Sequence, residues 1–398
     1  MDKPHNITVI EAFKIALLVA VIVGLMIPSL SSISSPTNPI NRWLFSVSGK
    51  TYSVIKPSTG QTSSNTNPTT LINFVIGKAG DEDILDFQGT IMKFTSGLNP
   101  IIGAKSLTWK NGNFWTVNSG SAGSSFQFTG PGDGLTTMTM KDFIFNVTSI
   151  VSCGTSCSAQ FFQASFQNPT FENIKLISTG ILGQAQFRFF LDSTDVNPRI
   201  NGFTALGICF NVLQDAVLQS ITTTTIRDVD IESCNDGAST AIRLFAQTQF
   251  EAAFVLGFNV GLWLDSPVIV NGLTCSALSV ATCVKETVGL ATQVKITNSF
   301  FNGQTLTLNS DTLLIGDDNQ PKGPIAVIVG ASPFTYTDSD NVLESVYLRG
   351  GAITTVTKNG VTLFGALAAG SPLTVDMYPA QSIIITYTVI PSMTADRF

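Results

Sequence analysis

Charged side chains are scarce in this chain. Asp, Glu, Lys and Arg make up 12% of its 398 residues, about half of their share in an average soluble protein. The formal net charge is −6. A nucleic-acid partner requires a basic stripe facing the phosphates, and the sequence shows none. We therefore expect no nucleic-acid binding.

Histidine is almost absent, since His5 is the single one. A Ser-His-Asp set therefore cannot form in the body of the protein. The spacings of the cysteines match no common zinc ribbon, and there is no G-x-x-x-x-G-K-[ST] phosphate loop. We expect no cofactor and no bound metal.

Long apolar runs are also missing, with one exception near the start of the chain. Residues 15–27 are all apolar or glycine, and no charge lies between Lys14 and Arg42. With tolerated Ser, Thr and Pro the run approaches the ~20 residues that span a bilayer. The run predicts a helical membrane anchor within residues 1–34, and a signal peptide removed after Pro28 is the alternative. The residues expected in the membrane are Ile15, Leu17, Leu18, Val21, Ile22 and Leu25.

The six cysteines point to export. They fall as three pairs along the sequence, and the middle pair is 25 residues apart. An even number at such spacings indicates disulfides formed in an oxidising compartment, and free cysteines packed in the core are the alternative. Asn146-Val-Thr148 is a candidate glycosylation acceptor, which would also fit export. The cysteine pairs are Cys153 with Cys157, Cys209 with Cys234, and Cys275 with Cys283.

A short apolar pattern returns six times. Each copy has an apolar residue, two polar or small residues, a usually apolar residue, a spacer and another apolar residue, as in Ile226-Arg-Asp-Val229-Asp-Ile231. Alternate residues of a strand share one face, so each copy is a strand with an apolar face to cover. Stacking the copies as coils buries these faces in one column, which predicts a parallel β-helix. The copies begin at Met140, Phe171, Ile200, Ile226, Val270 and Ile296.

The rest of the chain divides around this body. We expect a stalk or amino-terminal cap over residues 35–138, the β-helix over 139–324 and a carboxyl-terminal module over 325–398. Residues 57–70 contain only Pro, Ser, Thr, Gly, Gln and Asn, which predicts a linker or a long surface loop. Segments such as FVIG, IMKF and SLTW predict strands before the body. One gap of 44 residues between copies predicts an extra irregular coil or a lateral insertion.

The carboxyl-terminal module has a different pattern. Its alternating β segments are joined by Gly350-Gly351, by Asn359-Gly360 and by proline-containing turns. Such turns join neighbouring antiparallel strands, so the module is predicted to be an antiparallel β-sandwich.

These patterns resemble known architectures. The body, residues 139–308, resembles the right-handed parallel β-helix superfamily of pectate-lyase-like enzymes and phage tailspikes. The module, with its SPFTYT and SIIITYTVIP segments, resembles a small β module at the carboxyl end of phage and virus surface proteins. Polygalacturonase-like members carry Gly-His-Gly and Arg-Ile-Lys, and pectate lyases use clustered Arg and Asp with calcium. This body has no histidine, so the resemblance does not extend to polygalacturonase chemistry, and its arginines are isolated.

Four carboxylates around one coil are the sharpest catalytic candidates. Val229 and Ile231 are expected to face inward, so Asp230 and Glu232 face outward about 7 Å apart. Glycoside hydrolases use two carboxylates about 5 to 9 Å apart. Outward positions on a solenoid strand are polar in any case, and we favour that interpretation and expect no enzyme. The four candidates are Asp228, Asp230, Glu232 and Asp236.

Together these features favour a membrane-anchored, extracellular-facing β-helical spike or fibre of a virion surface. We expect a homotrimer with a structural and host-attachment role. Its expected partners are the membrane, capsid or envelope proteins, and a host-surface glycan or receptor. The alternatives are a tailspike-like polysaccharide-degrading enzyme and a cellular adhesin that is secreted or held in the cell envelope. Trp109, Trp115 and Trp263 are candidate sugar platforms, with core positions as the alternative reading.

Overall fold

The computed structural model describes most of the chain after residue 40. The chain divides into two compact units, residues 1–40 and 41–398, and every described residue belongs to the second. The predicted anchor lies outside the described residues, as do Cys153, Cys157, Cys209, Cys234 and Asp236. The described ranges are 41–95, 98–100, 102–116, 126–147, 159–178, 187–208, 216–232, 240–276, 282–288, 294–302, 304–315, 323–338, 342–368 and 370–397.

Two sheets form the body. The larger contains β1 (Arg42–Ser48), β2 (Thr51–Lys56), β3 (Gln61–Asn65), β4 (Ile84–Asp86), β5 (Ile91–Phe94), β6 (Leu107–Lys110), β7 (Asn113–Thr116), β9 (Met138–Val147), β11 (Thr170–Ser178), β13 (Arg199–Leu206), β15 (Thr224–Glu232), β17 (Thr248–Leu256), β19 (Val268–Cys275), β21 (Lys295–Thr297) and β23 (Leu313–Ile315). The smaller contains β8 (Phe126–Thr129), β10 (Ala159–Ala164), β12 (Phe187–Leu191), β14 (Ala216–Ser220), β16 (Thr240–Leu244), β18 (Val260–Leu264), β20 (Thr282–Glu286) and β22 (Thr305–Thr307).

From β8 to β23 the chain alternates between these sheets. Each strand pairs in parallel with the strand one coil away in its own sheet, as β11 does with β9 and β13. No strand of such a coil can cover its apolar face alone, so the coils stabilise one another by stacking. The predicted all-β class is confirmed, and the alternating parallel strands agree with the predicted β-helix. Its right-handed sense stays a prediction.

Each long strand of the larger sheet bends at one residue. The register aligns Ile174 with Phe143 and Phe203 on the neighbouring coils, and the residue just before each of them has a positive φ. Glycine adopts this conformation freely, and Asn and Asp tolerate it better than other residues. This explains the small or polar third position of the repeat. The bend residues are Asp142, Asn173, Gly202, Asp228, Ala252 and Gly272, and Asn298 occupies the same repeat position directly after the short β21.

The inward side chains form one continuous apolar core. Val229 and Ile231 are 3% and 0% exposed, so the predicted alternation along β15 is found. Phenylalanine rings from both sheets stack through the core. The rings of Phe161 and Phe189 lie 4.5 Å apart and almost parallel, and Phe171 packs edge-on against Phe189 at 5.2 Å. Such pairs add to the stabilisation from buried area.

Parallel stacking begins earlier than the predicted boundary at residue 139. β4 pairs in parallel with β6, and β6 pairs in parallel with β9. In these first coils the two halves of the repeat are separate strands, joined through the positive-φ residues Gln88 and Asn111. The split breaks the spacing of the repeat, which hid these coils in the sequence.

The 44-residue gap holds one extra coil, as the first of the two predicted alternatives required, but this coil is regular and not irregular. β17 pairs in register with both β15 and β19. Its repeat is Phe250-Glu-Ala-Ala-Phe-Val255, with Ala252 at the bend and Ala253 at the second apolar position. Two alanines in place of a polar residue and a large apolar one concealed the pattern.

The predicted linker over residues 57–70 was also wrong. Its middle forms β3, which pairs with β2 in an antiparallel hairpin, and its end begins the helix α1 (Pro68–Lys78). The Asn67 side chain accepts a hydrogen bond from the Thr69 amide and caps the helix, and Pro68 occupies the first turn, where prolines are tolerated. The segment FVIG therefore belongs to a helix and not to a strand. The buried face of the helix consists of Pro68, Leu71, Ile72, Val75 and Ile76.

A buried ion pair joins the first hairpin to the first coil. Lys56 Nζ lies 2.9 Å from Asp83 Oδ2, and the Trp43 indole N–H donates to the same oxygen at 2.8 Å. Asp83 is 0% exposed and Lys56 7%. Removing one partner of such a pair leaves a buried charge unpaired, so these contacts hold the β1–β2 hairpin against the first coil.

Two four-stranded antiparallel sheets follow the body. They pack around a core of their own that includes Val346, Leu348, Val356 and Ile385. This is the sandwich architecture expected for the module. The first sheet contains β24 (Gly323–Val327), β31 (Ser392–Arg397), β26 (Glu344–Arg349) and β29 (Leu373–Met377), and the second β25 (Phe334–Thr337), β30 (Ser382–Val389), β27 (Ala352–Lys358) and β28 (Val361–Phe364).

One disulfide is found within the described ranges. Cys275 at the end of β19 is bonded to Cys283 on β20, with their Cα atoms 5.9 Å apart. The same ranges contain no helix with the length and apolar character needed to cross a bilayer.

Candidate functional site

The structure places three of the four candidate carboxylates on β15. Asp228 is the bend residue of that strand and is exposed. Asp230 and Glu232 follow on the outward face and are half-buried. Asp236 lies outside the described residues. Asp230 and Glu232 therefore lie two residues apart on one face of the strand, as the sequence predicted.

The residues that flank this pair on the neighbouring coils are mostly apolar. Glu232 lies in register between Leu206 and Leu256, and Asp230 lies between Thr204 and Phe254. Among the described residues no donor approaches the buried Oδ1 of Asp230. General acid–base catalysis needs carboxylates within reach of a bound substrate. Neither carboxylate lines either of the two grooves described below.

The first groove, the bend groove, follows the bends of three coils and encloses about 360 Å³. The Asn173 amide donates to Asp142 Oδ1 at 2.8 Å across two coils, and the next bend residue, Gly202, has no side chain to continue the row. The missing side chain opens the groove. Its charged lining residues are Asp142, which accepts the hydrogen bond from Asn173, and Lys175. The lining residues are Asp142, Ile144, Asn173, Ile174, Lys175, Gly202 and Thr204.

The second groove, the threonine groove, lies where three successive coils enter β15, β17 and β19, and encloses about 490 Å³. Its lining is uncharged and combines hydroxyls, side-chain amides and an apolar rim. No carboxylate is among the described residues that line it. They are Thr223, Thr224, Thr225, Gln247, Thr248, Gln249, Pro267, Val268 and Ile269.

The threonines of this groove divide into two kinds. The buried Thr224 hydroxyl donates to the Thr222 carbonyl at 2.8 Å, and Thr248 donates to the Ala246 carbonyl at 3.0 Å, so both stabilise their turns. Within the described ranges no hydrogen-bond partner is found for the side chains of Thr223 and Thr225. These hydroxyls therefore face the groove with their donors and acceptors available.

Comparisons with known proteins show no family. No family model matches the chain, and no curated protein matches its sequence. A structural comparison aligns 83% of this chain with 80% of a tailspike protein of Acinetobacter baumannii phage AM24, at 8% sequence identity and a TM-score of 0.26. Function must therefore be inferred from the geometry of the chain itself.

The tryptophan candidates occupy three different environments. Trp109 is fully buried in the core, so it cannot be a sugar platform. Trp115 is half-buried, with Lys93 Nζ 5.5 Å from its ring centroid. Trp263 is half-buried on the outer face of the smaller sheet. The predicted glycan acceptor Asn146 is 7% exposed at the end of β9, so the folded strand does not present it to solvent.

Two buried acids were not found by sequence reasoning. Asp195 is 2% exposed, and Gln163 Nε2 and the Phe166 amide both donate to its Oδ1, at 2.9 and 3.1 Å. Burial nevertheless raises the pKa of Asp195 to about 7. Burial also raises the pKa of Glu286, which accepts hydrogen bonds from the Thr312 hydroxyl and the Asn309 amide. Both acids support turns and neither lines a described groove.

The threonine groove was also missed, although its signal is present in the sequence. Thr222 to Thr225 form a run of four threonines directly before a repeat. The run resembles ordinary strand composition, because threonine favours strands for its branched side chain. Only the coil register brings it beside Gln247, Gln249 and Ile269.

Proposed function

We propose that this protein is a β-helical spike or fibre of a virion surface that attaches to a host-surface glycan, and that the threonine groove binds the sugar. One observation carries the proposal. Three coils together form an uncharged groove of about 490 Å³ lined by hydroxyls and amides beside an apolar rim. Binding sites for small ligands combine apolar walls with a few placed polar groups in this way.

The chemistry of the groove suits a neutral sugar. Thr223, Thr225 and Gln247 supply donors and acceptors for ring hydroxyls. Ile269 is 57% exposed and lies beside Pro267, which gives the apolar patches of a sugar ring a surface to cover. A glycan that lies across the groove would contact three coils at once.

We propose attachment without cleavage. Asp230 and Glu232 are the carboxylates spaced for glycoside hydrolysis, and their flanking residues are mostly apolar. The alternative is a glycosidase that uses this pair. It is tested by incubating the full chain with the glycans it binds and assaying reducing ends. Reducing-end release that is lost in the double variant Asp230→Asn, Glu232→Gln would replace attachment with hydrolysis.

Membrane anchoring and trimer formation belong to the same proposal. The apolar run of residues 15–27 supports the anchor. Leu206 on β13 is 38% exposed, and Phe300, which bridges to Thr274 of β19, is 50% exposed. We propose that further copies of the chain cover such side chains in a symmetric assembly. Static light scattering of the chain from residue 35 onward tests the trimer, and a monodisperse monomer at micromolar concentration would reject it. Mass spectrometry of purified virions and envelopes tests the location.

A glycan array followed by titration of the best ligand tests the attachment site. Gln247 lines the groove with an exposed side chain. Gln247→Ala should weaken binding about tenfold, because one of the proposed polar contacts to the ligand is lost. Asn201→Ala is the matched control, since it removes an exposed side-chain amide from β13 that does not line the groove. Equal affinity of both variants and the unsubstituted chain would reject the groove as the site.

A further inference from the structure

A network of aromatic, cationic and polar side chains covers part of the outer face of the smaller sheet. It consists of paired outward residues on three successive coils. The register aligns Arg243 with Trp263 and Trp263 with Lys285. None of the network residues lines either groove. We name it the cation–indole patch, and its residues are Arg243, Phe245, Trp263, Asp265, Lys285 and Thr287.

Two cations flank the Trp263 indole. The Arg243 guanidinium carbon lies 4.1 Å from the ring centroid, and Lys285 Nζ lies 3.8 Å from it. Because β16, β18 and β20 are consecutive in the sheet, the two cations reach the indole from the coils on either side. Both distances are well inside the range for cation–π attraction. The indole faces are therefore occupied, and its edge remains for a ligand.

Hydrogen bonds fix the geometry of the patch. Arg243 Nε donates to Asp265 Oδ2 at 2.6 Å, and the Trp263 indole N–H donates to the Thr287 hydroxyl at 3.0 Å. The Thr287 hydroxyl in turn donates to Asp265 Oδ1. The side chains of Arg243 and Asp265 are only 13% and 14% exposed. A site held in place before the ligand arrives loses less conformational entropy on binding.

The patch has a net charge of +1, since it contains two cations, Arg243 and Lys285, and one carboxylate, Asp265. Asp265 forms its ion pair with Arg243. Among the described residues no carboxylate forms an ion pair with Lys285, whose ammonium lies on the solvent side of the sheet. The Lys285 ammonium is therefore available to pair with an anionic ligand, although the whole chain carries a net charge of −6. Opposite charge favours an acidic ligand here.

We propose that the cation–indole patch binds the acidic group of an anionic polysaccharide. The Lys285 ammonium pairs with a carboxylate or sulfate of the chain, and the exposed Trp263 edge and Thr287 contact the neighbouring sugar. The inference shares the glycan ligand with the proposed function but uses a different surface and a different ligand charge. It stands if the threonine groove binds nothing.

The test uses the full chain and three polymers: polygalacturonate as the carboxylated probe, dextran sulfate as the sulfated probe and dextran as the neutral one. Titration at low and physiological salt should show binding of one or both acidic polymers and none of dextran. Lys285→Gln should weaken that binding about tenfold, because a charge-assisted contact is lost. The control Lys295→Gln removes the same charge from an exposed position on the larger sheet and should change affinity less than twofold. Thermal melts should show that both variants stay folded.

Each outcome decides the proposal. A preference between the two acidic polymers identifies the acidic group, and the loss with Lys285→Gln locates it. Failure of the unsubstituted chain to bind either acidic polymer would overturn the proposal. Equal weakening by Lys285→Gln and Lys295→Gln would also overturn it, because the attraction would then come from the overall charge. Gln247→Ala should leave binding of the acidic polymers unchanged, which separates the cation–indole patch from the threonine groove.

Discussion

The side chain of Asn173 donates a hydrogen bond to Asp142 on the previous coil, with Nδ2 and Oδ1 2.8 Å apart. Both residues have a positive φ and lie at the bend of their strands. The bond therefore links the two positions where the backbone is least favourable for ordinary residues. The bends of successive coils are stacked, and the next position in the row is Gly202.

Gly202→Ala should destabilise the protein by about 2 kcal/mol. Gly202 has a φ of +76°, and an added Cβ would lie 2.9 Å from Asn173 Oδ1. The substitution adds backbone strain of about 1–2 kcal/mol and disturbs the hydrogen bond to Asp142. Chemical denaturation measures the loss. Gly103→Ala is the control, since its Cβ would meet nothing within 4 Å, and comparable losses in both variants would contradict the role of the bend.

Ala252→Gly should stabilise the protein by about 0.5–1 kcal/mol. Ala252 has a φ of 52°, and replacing it by glycine removes the strain of a Cβ in that conformation. The adjacent Ala253 is inward and 5% exposed with no such φ. Ala253→Gly should therefore destabilise, because it adds backbone freedom and removes a core methyl. Denaturation midpoints that move in the same direction for both variants would show that the bend is not strained.

Val229→Asp should prevent folding, whereas Asp230→Ala should change stability by less than about 0.5 kcal/mol. Val229 is 3% exposed in the core, so a carboxylate there would be buried without a partner. Asp230 is outward on the same strand. Soluble yield and thermal melts compare the two, and equal melting temperatures would reject the inward and outward assignment.

The stability of the protein should fall as pH rises from about 4 to about 7, in part because of Asp195. Burial raises the pKa of Asp195 to about 7 in the folded chain, whereas an unfolded aspartate titrates near 3.9. Between these pH values the folded chain keeps a proton on Asp195 that the unfolded chain has lost. The bound proton stabilises the folded chain by at most about 4 kcal/mol, and this stabilisation is lost on going from pH 4 to above pH 7. Asp195→Asn should remove this pH dependence.

Urea denaturation at pH 5 and pH 8 measures the effect. Asp133→Asn is the control, because amide hydrogen bonds from Thr136 and Leu135 lower the pKa of Asp133, which stays ionised at both pH values. Its stability difference between pH 5 and pH 8 should equal that of the unsubstituted chain. An unchanged pH dependence in Asp195→Asn would show that the buried carboxyl does not take up the proton.

The repeat in the sequence was sufficient to predict the stacked coils of the body. It did not predict that the coil with a weak repeat is regular, or the elements before the body. Apolar residues two apart predicted the inward face of β15, because period-two alternation is a local property of a strand. The repeat in the coil through Ala252 was missed since two alanines carry little pattern. The helix α1 was missed because polar residues dominate the segment before it, although Asn67 and Pro68 together are a helix-start signal.

The candidate sites depended on register more than on motif. The carboxylates of β15 were visible as a motif, yet their flanking residues Leu206, Phe254 and Leu256 come from other coils. The threonine groove and the cation–indole patch each combine side chains from three coils. The number of residues between the strands of successive coils varies with the length of the turns. Sequence distance alone therefore cannot show which side chains lie next to each other.

Hydrogen–deuterium exchange of the full chain, with and without the best ligand from the glycan array, tests the central claim most directly. Binding at the threonine groove should slow exchange in residues 222–225 and 247–249, because a bound sugar shields their amides and restrains the turns. Exchange in residues 228–232 should stay unchanged. Protection centred on Asp230 and Glu232, or no protection in either segment at saturating ligand, would contradict attachment through the groove.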